Sequence, residues 1–442
     1  MTEVVPDVAA RRNAVARRLW QRYCSVTVVT PALSGLSASP TAAASITIAP
    51  VSVGPKWRAA IDRAVASFGT PCYVTRARPI RDALTVLEHG YDGPVRPWLS
   101  MKTHPLAALI RWWAQSGRGV EVVSEAELVA ALEIGCAPSA LLVNGLAKHQ
   151  WLARRSVRGL RVHFDSLAEL DALLPVALRD DWRVGVRLHA PDESDARDER
   201  FGGPFGMTAG EASDAIRRLR DAGAQLESVH FHLGQRGHRP GAYARAVAHV
   251  RSVCQAAAFR PRFVDCGGGL PGGRAADDAL ADLRGAVNAA FSAFRPELEE
   301  VWVEHGRFVL QHATMLAIRV VDAKERPECR YLICDGGRTN QALSADHGLH
   351  PLWTVPDRTG PHRLTTICGP TCMTDDILGR VDLPESIVPG DVLVWTAAGA
   401  YHLPWETRFS HGHCAVAWCD DDDNVVLARR RERPEDWMTP WP

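Results

Sequence analysis

Eight short apolar runs, each closing on a polar residue or a glycine, recur between residues 98 and 304. They are Trp98 to Lys102, Val120 to Ser124, Leu141 to Gly145, Val162 to Ser166, Val184 to His189, Val229 to His232, Phe263 to Gly267 and Val301 to Glu304. Runs this short and this continuously apolar read as strands buried on both faces. The stretches between them carry helical periodicity. Residues 125–134 place Ala126, Val129, Ala130 and Leu132 in register before Gly135, and residues 209–221 do the same with Ala212, Ala215, Ile216 and Leu219 before Gly223. Eight strands alternating with helices give an α/β fold with the length and rhythm of a (β/α)8 TIM-type barrel. A doubly wound sheet satisfies the periodicity equally well.

The texture changes outside this region. Residues 45–53 alternate as a strand and a helix follows from Trp57 to Phe68; beyond Arg319, short β-like runs (316–321, 331–334, 364–368, 391–396, 414–418, 425–428) are split by Gly/Pro turns. A second, all-β domain of barrel or sandwich type is expected, discontinuous in sequence because the strand before the barrel joins it. The expected organisation is an N-terminal extension over 1–44, a strand and helix over 45–75, the barrel over 76–315 and the β domain over 316–442. Between Asp7 and Asp62 there is no acidic residue, and Arg11, Arg12, Arg17, Arg18 and Arg22 fall close together. No sustained apolar region follows them, so a disordered or surface-helical extension is expected in preference to a targeting peptide.

Charge narrows the functional classes. The 51 basic and 51 acidic residues leave no net field for nucleic acid or an anionic membrane, and no apolar run approaches the ~20 residues of a membrane span. The 11 cysteines form no CxxC pair, which suits free thiols in a reducing, cytoplasmic compartment. His411-Gly-His413-Cys414 has poor spacing for a tetrahedral metal site, and none is expected. Only four of the 51 basic residues are lysines: Lys56, Lys102, Lys148 and Lys324. Chemistry that needs an amine therefore has four candidates.

Lys102, Ser124, Asn144, His232, Gly267 to Gly269 and Glu304 all fall at or just past the C-terminal ends of the expected strands, the face on which barrel enzymes build their sites. A lysine in an apolar hollow loses solvation and can form a Schiff base with a carbonyl; the bland reading of Lys102 is a structural ion pair. Gly267-Gly268-Gly269-Leu-Pro-Gly272 also satisfies GxGxxG, but on the seventh strand and not the first; a loop of bare N–H groups for a phosphate is the better reading, and a structural turn the bland one. Glu304 could hold a protonated ring nitrogen and Arg307 a phosphate, or the two could simply pair. His232 could stack on a ring or fill the barrel. Cys372 in Gly-Pro-Thr-Cys and Tyr401 in Gly-Ala-Tyr lie on turns of the β domain, where either could equally be a buried filler.

As an ordered set, from the strand-end lysine through His-Phe-His-Leu-Gly, the glycine run, Glu-x-Gly-Arg, Gly-Pro-Thr-Cys and Gly-Ala-Tyr, the chain resembles the fold type III pyridoxal-phosphate decarboxylases, the family of diaminopimelate and ornithine decarboxylases, more distantly related to alanine racemase. The resemblance spans residues 45–420. It implies pyridoxal 5'-phosphate as cofactor, held covalently by Lys102, with His232 stacked on its ring, Glu304 at the ring nitrogen, and Gly267, Gly268, Gly269, Arg307 and Tyr401 at the phosphate. It also implies a homodimer with shared sites, in which Cys372 serves the partner subunit's site, and an amino-acid substrate. Asp346 and Met373 would face that substrate. The departures lie on the substrate side. Diaminopimelate enzymes place a Glu after the cysteine to read the distal amino group, and ornithine enzymes an Asp; here Met373 stands there. The family's carboxylate-reading Arg-Pro pair is replaced by Gln341-Ala342-Leu343, with Arg338 out of register. Gln235 stands for the usual Ser, and His305 for the Pro of Glu-Pro-Gly-Arg. The expected function is decarboxylation of an amino acid or conjugate other than meso-diaminopimelate, in siderophore or antibiotic assembly. An amino-acid racemase, a catalytically silent cofactor carrier and a Rossmann-type oxidoreductase are the alternatives.

Overall fold

The computed structural model describes residues 53–190, 203–234, 239–341 and 351–440. The expected extension, nearly all of the expected 45–53 strand, Gln235 and Asp346 lie outside the described residues. Two compact units form, one over 82–309 and one over 53–81 with 310–440.

Helix Pro55–Phe68 and strand β1 (Cys72–Arg76) belong to the second unit; the first begins with β2 (Val95–Pro97) and β3 (Leu99–Ser100). It continues through β4 (Val120–Val122), β5 (Leu141–Val143), β6 (Arg161–Phe164), β7 (Arg183–Arg187), β8 (Gln225–His230), β9 (Phe263–Asp265) and β10 (Glu300–Val303). All of these pair in parallel in the order β2-β10-β9-β8-β7-β6-β5-β4-β3. Trp98 alone separates β2 from β3. Its N–H donates to Val303 O at 2.8 Å, while Leu99 N–H donates to Gly119 O at 3.0 Å, so the two short strands act as one and the ring closes. Trp98 packs edge-on against Trp302 at 5.1 Å. A Cβ on Gly119 would lie 2.0 Å from the Trp98 ring, so only glycine fits there. The ring excludes the doubly wound sheet, and each of the eight expected runs holds a strand.

Three of the helices outside the ring start on side-chain caps. Ser124, Ser166 and Thr208 accept from the backbone N–H of Glu127, Glu169 and Glu211, satisfying donors that the first turn leaves open. Ser124 lies just past β4, as expected, and its side chain serves as a helix cap. Helix Glu125–Ile134 ends at Gly135 with φ 101, as its sequence requires.

The second unit is mostly strand: β11 (Thr314–Glu325), β12 (Arg330–Cys334), β13 (Leu352–Val355), β14 (His362–Cys368), β15 (Ile377–Pro384), β16 (Val392–Trp395), β17 (Ala415–Cys419) and β18 (Val425–Arg429). Its sheet runs β15-β14-β12-β11-β1-β17-β18, with β16 pairing β11 and β13. The N-terminal segment contributes β1, antiparallel to β11 and parallel to β17, and helix Pro55–Phe68 packs Ala60, Ile61 and Ala64 onto that sheet. Among the described residues no helix is long and apolar enough to cross a membrane.

Candidate active site

The C-terminal ends of the barrel strands surround a cavity of about 740 Å³ whose polar lining includes Lys102, Glu121, Asn144, Arg187, His232 and Glu304. Lys102 sits in the single 3-10 turn Met101–Thr103 directly after β3. Ser100 is in register with Glu121 on the neighbouring strand, which brings that carboxylate beside the lysine. The Lys102 amine donates to Ser100 Oγ at 2.8 Å and to Glu121 Oε1 and Oε2 at 3.0 and 2.8 Å. The apolar hollow expected around this lysine is therefore not what surrounds it: a buried carboxylate meets it, while the lysine side chain remains 37% exposed toward the cavity. The other lysines are committed elsewhere. Lys148 is buried, donating to Glu169 Oε2 at 2.6 Å and to Gly145 O at 2.8 Å. Lys56 and Lys324 are exposed in the second unit beside Asp423 and Asp322.

Glu304 follows β10 and is buried. Its Oε1 accepts from Asn144 Nδ2 at 2.5 Å and its Oε2 lies 3.7 Å from His232 Nδ1. Burial opposes its charge, but the facing His232 and the Lys102 charge hold its carboxyl well below the usual range. Asp265, at the end of β9, is pushed the other way by burial and by the Glu304 charge. The two neighbouring carboxyls are thus pushed in opposite directions. Beneath them His163 stacks on His230 at 4.9 Å. His163 Nδ1 faces Asn144 Oδ1 at 2.9 Å and its Nε2 faces Ser228 Oγ at 3.0 Å. Burial pushes His163 down to about 3 and His230 well below its ordinary value, so both rings are neutral.

His163, His230 and Asp265, and likewise His230, His232 and Glu304, bring metal-ligand atom types within 4.8 Å of one another. In the first group both His163 nitrogens are already engaged, and in the second the Glu304 oxygens face Asn144 and His232. His230 Nδ1 and Nε2 and Asp265 Oδ2 are buried without a hydrogen-bond partner among the described residues.

The glycine run forms the turn after β9. Gly267 and Gly269 have φ of 60 and 128. A Cβ on them would lie 2.5 Å from Phe231 O and 2.4 Å from Gly234 O, so close backbone approach demands glycine at both. Gly267 N–H donates to Asp265 Oδ1 at 2.8 Å and Gly268 N–H to His232 Nδ1 at 3.1 Å. A 3-10 turn, Gly273–Ala276, precedes helix Asp277–Phe294. The turn stands on the seventh strand of a closed ring, so it opens no Rossmann unit, and that alternative falls. His305 is buried and pushed down to about 3 by burial, and Arg307 stands in the short helix Gly306–Leu310 directly after it.

In the second unit Cys372 and Met373 are exposed on the turn after β14, and Tyr401 takes φ 69 at the start of helix His402–Trp405. His413 faces Glu432 at 3.2 Å while Cys414 is buried beside Arg429, so the His411 to Cys414 run is not gathered into one donor set.

Glu121, His163, Arg187, His230 and Asp265 were not singled out from the sequence. Their common signal is a polar residue embedded within an apolar strand run, as in Val120-Glu121-Val122 or Val162-His163-Phe164. Alternate residues of a barrel strand point inward, so such interruptions face the interior.

An amine open to a cavity, an ionised carboxylate held at its floor, an imidazole at its side and a turn of bare backbone form a donor set that fits pyridoxal phosphate. The family described as pyridoxal-dependent decarboxylase, pyridoxal binding domain, matches residues 77–311. The chain is 30% identical over 387 residues to diaminopimelate decarboxylase from Deinococcus radiodurans, covering 86% of this chain and 97% of that protein. It is 26% identical over 344 residues to lysine/ornithine decarboxylase from Selenomonas ruminantium, covering 75% and 85%. Among solved structures, diaminopimelate decarboxylase from M. jannaschi has the same fold, with a TM-score of 0.72 at 20% identity over 86% of this chain and 94% of that one.

Proposed function

Since the chain belongs to the pyridoxal-dependent decarboxylase family, we propose that it removes the α-carboxylate of an amino acid or amino-acid conjugate other than meso-diaminopimelate. We place it in the cytoplasm, in siderophore or antibiotic assembly, as a homodimer with shared sites. The cofactor of the family, pyridoxal phosphate, supplies when bound an electron sink for the bond to the departing carboxylate. Lys102 would hold the cofactor covalently, its amine kept at the mouth by Glu121 and Ser100. Glu304, supported by Asn144, would keep the ring nitrogen protonated, and His232 would lie against the ring. Gly267, Gly268, Gly269, Arg307 and Tyr401 would bind the phosphate. Cys372 reaches the partner subunit's site and gives the proton that Cα takes up after CO2 leaves. Asp346 and Met373 face the substrate.

The observation that carries the substrate reading is Met373, 40% exposed beside Cys372. A carboxylate in that place reads a distal ammonium in diaminopimelate and ornithine enzymes, and a thioether cannot accept such a charge-assisted hydrogen bond. Several relatives bear the name diaminopimelate decarboxylase, so the test is direct. Purified holoenzyme given meso-diaminopimelate is expected to release CO2 slowly or not at all, and efficient turnover overturns the substrate reading.

A further inference from the structure

One hydrogen-bonded chain crosses the inside of the barrel from β8 to Glu304. His163 on β6 is in register with Gly185 on β7, and Gly185 with Ser228 on β8. The second pairing needs an extra residue in β8: Val184 faces Leu226 and Gly185 faces Ser228, so a bulge at Glu227 brings Ser228 into line. His163 and Ser228 thus stand two strands apart, yet His163 Nε2 lies 3.0 Å from Ser228 Oγ. They meet because Gly185 puts no side chain between them. A Cβ there would lie 2.1 Å from Ser228 Oγ and 2.6 Å from His163 Cδ2. On the other side of the ring His163 Nδ1 lies 2.9 Å from Asn144 Oδ1, and Asn144 Nδ2 donates to Glu304 Oε1 at 2.5 Å. Asp265 Oδ2 is 3.9 Å from His163 Nδ1, too far for a hydrogen bond, so Asn144 is that nitrogen's partner.

The chain has a direction. Burial keeps His163 neutral, and a neutral imidazole carries one N–H and one lone pair. With the Asn144 oxygen at Nδ1, the N–H is on Nδ1, and Nε2 accepts from the Ser228 hydroxyl. The stack of His230 on the ring, at 4.9 Å, leaves His163 little room to turn. An asparagine amide can face either way, and the wrong way has a chemical consequence. Turned over, Asn144 would present its oxygen to Glu304, and two facing acceptors are relieved only when the carboxyl takes a proton. A neutral carboxyl no longer stabilises a cationic ring nitrogen.

We infer that His163 is a positioning residue of the cofactor site, acting through the Asn144 amide to keep Glu304 an anion, with Ser228 and Gly185 as its supports. This rests on the reading above that Glu304 meets the ring nitrogen of pyridoxal phosphate. It extends that reading from the carboxylate to the side chains that fix its state.

Holoenzyme reconstituted with pyridoxal phosphate carrying nitrogen-15 in its ring reports the protonation of that nitrogen through its chemical shift. Glu304→Gln gives the shift expected when no anion faces the ring. In His163→Leu the shift moves from the parent value toward that of Glu304→Gln, and cofactor affinity falls up to roughly tenfold, the scale of one lost hydrogen bond to a charged group. His163→Gln, whose amide supplies one donor and one acceptor as the neutral imidazole does, stays nearer the parent in both measurements. Ser228→Ala moves the shift in the same direction as His163→Leu but less far. It removes a single hydroxyl, so it carries the test where loss of the imidazole unfolds the barrel. A parent-like shift in every folded variant of His163 and Ser228, with Glu304→Gln displaced, overturns this inference alone. A shift that Glu304→Gln leaves unchanged overturns it together with the role of Glu304.

Discussion

The side-chain amide of Asn144 donates to Glu304 Oε1 at 2.5 Å while its carbonyl oxygen faces His163 Nδ1 at 2.9 Å. The amide orientation and the His163 tautomer are therefore set together: Nδ1–H donates to Asn144, and Nε2 accepts from Ser228. Asn144→Ala strips Glu304 of its short donor and leaves a buried His163 N–H unmatched, a loss of about 1 to 3 kcal/mol. The expected result is roughly tenfold weaker binding of pyridoxal phosphate, measured by absorbance titration of the cofactor-free protein. Asn144→Asp should be worse than Ala, because a second carboxylate beside Glu304 must be protonated or repel it.

Lys148 and Glu169 form a buried pair at 2.6 Å with both side chains at or below 1% exposure. Glu169 also accepts the backbone N–H groups of Lys148 and Asp165. Lys148→Met would leave that carboxylate buried without its cation, costing about 3 to 5 kcal/mol. Adding Glu169→Gln should recover part of this, since the amide oxygen still accepts from the backbone and no charge remains. Urea midpoints of the single and double variants check it. The exposed Arg217–Asp214 pair, at 3.3 Å, is the control and should change stability by less than about 1 kcal/mol.

Acid should destabilise the barrel before its ordinary carboxylates titrate. His163 and His305 are pushed down to about 3 by burial and His230 lies well below its usual value, so all three are neutral when folded and take up protons on unfolding below about pH 6.5. For a lowered histidine, stability is present above the unfolded value and is lost as pH falls. Asp265 opposes by one proton, because burial and Glu304 push it up and it ionises on unfolding. Near pH 5 these four groups leave a net uptake of about two protons, a slope of about 3 kcal/mol per pH unit. Urea midpoints that do not fall between pH 6.5 and 5 would contradict this.

Much of this architecture was legible because barrel strands buried on both faces leave continuous apolar runs, and helices between them end on glycine. What the runs hid was their interruptions. Trp98 reads as the start of one strand, yet it is the break between β2 and β3, visible only when Val303 O accepts its N–H and Gly119 O that of Leu99. In the second unit, β15 went unread because Gly379, Arg380 and Asp382 interleave its apolar residues on a half-exposed strand. Lys102, His232, the glycine turn and Glu304 were legible from their place after strand ends. Glu121, His163 and Asp265 were not, because each lies inside a strand, and an inward direction follows only once the ring has closed.

Borohydride reduction of the holoenzyme followed by peptide mapping should place the cofactor mass on Lys102. The competing amines are physically disqualified in different ways. Lys148 Nζ is buried and engaged by Glu169 and Gly145 O, and Lys56 and Lys324 stand exposed beside carboxylates of the second unit. Only Lys102 combines a fixed position, set by Glu121 and Ser100, with a side chain 37% open to the cavity. Lys102→Ala removes both the amine and the cation beside the buried Glu121, so loss of labelling could be blamed on the fold. Lys102→Arg separates the two. It keeps a positive charge for Glu121 and should melt within about 1 kcal/mol of the parent, yet its guanidinium forms no Schiff base at neutral pH. Labelling should vanish in both variants while stability falls only in the alanine one. Cofactor mass on Lys148 in the parent protein would overturn the assignment of the anchor.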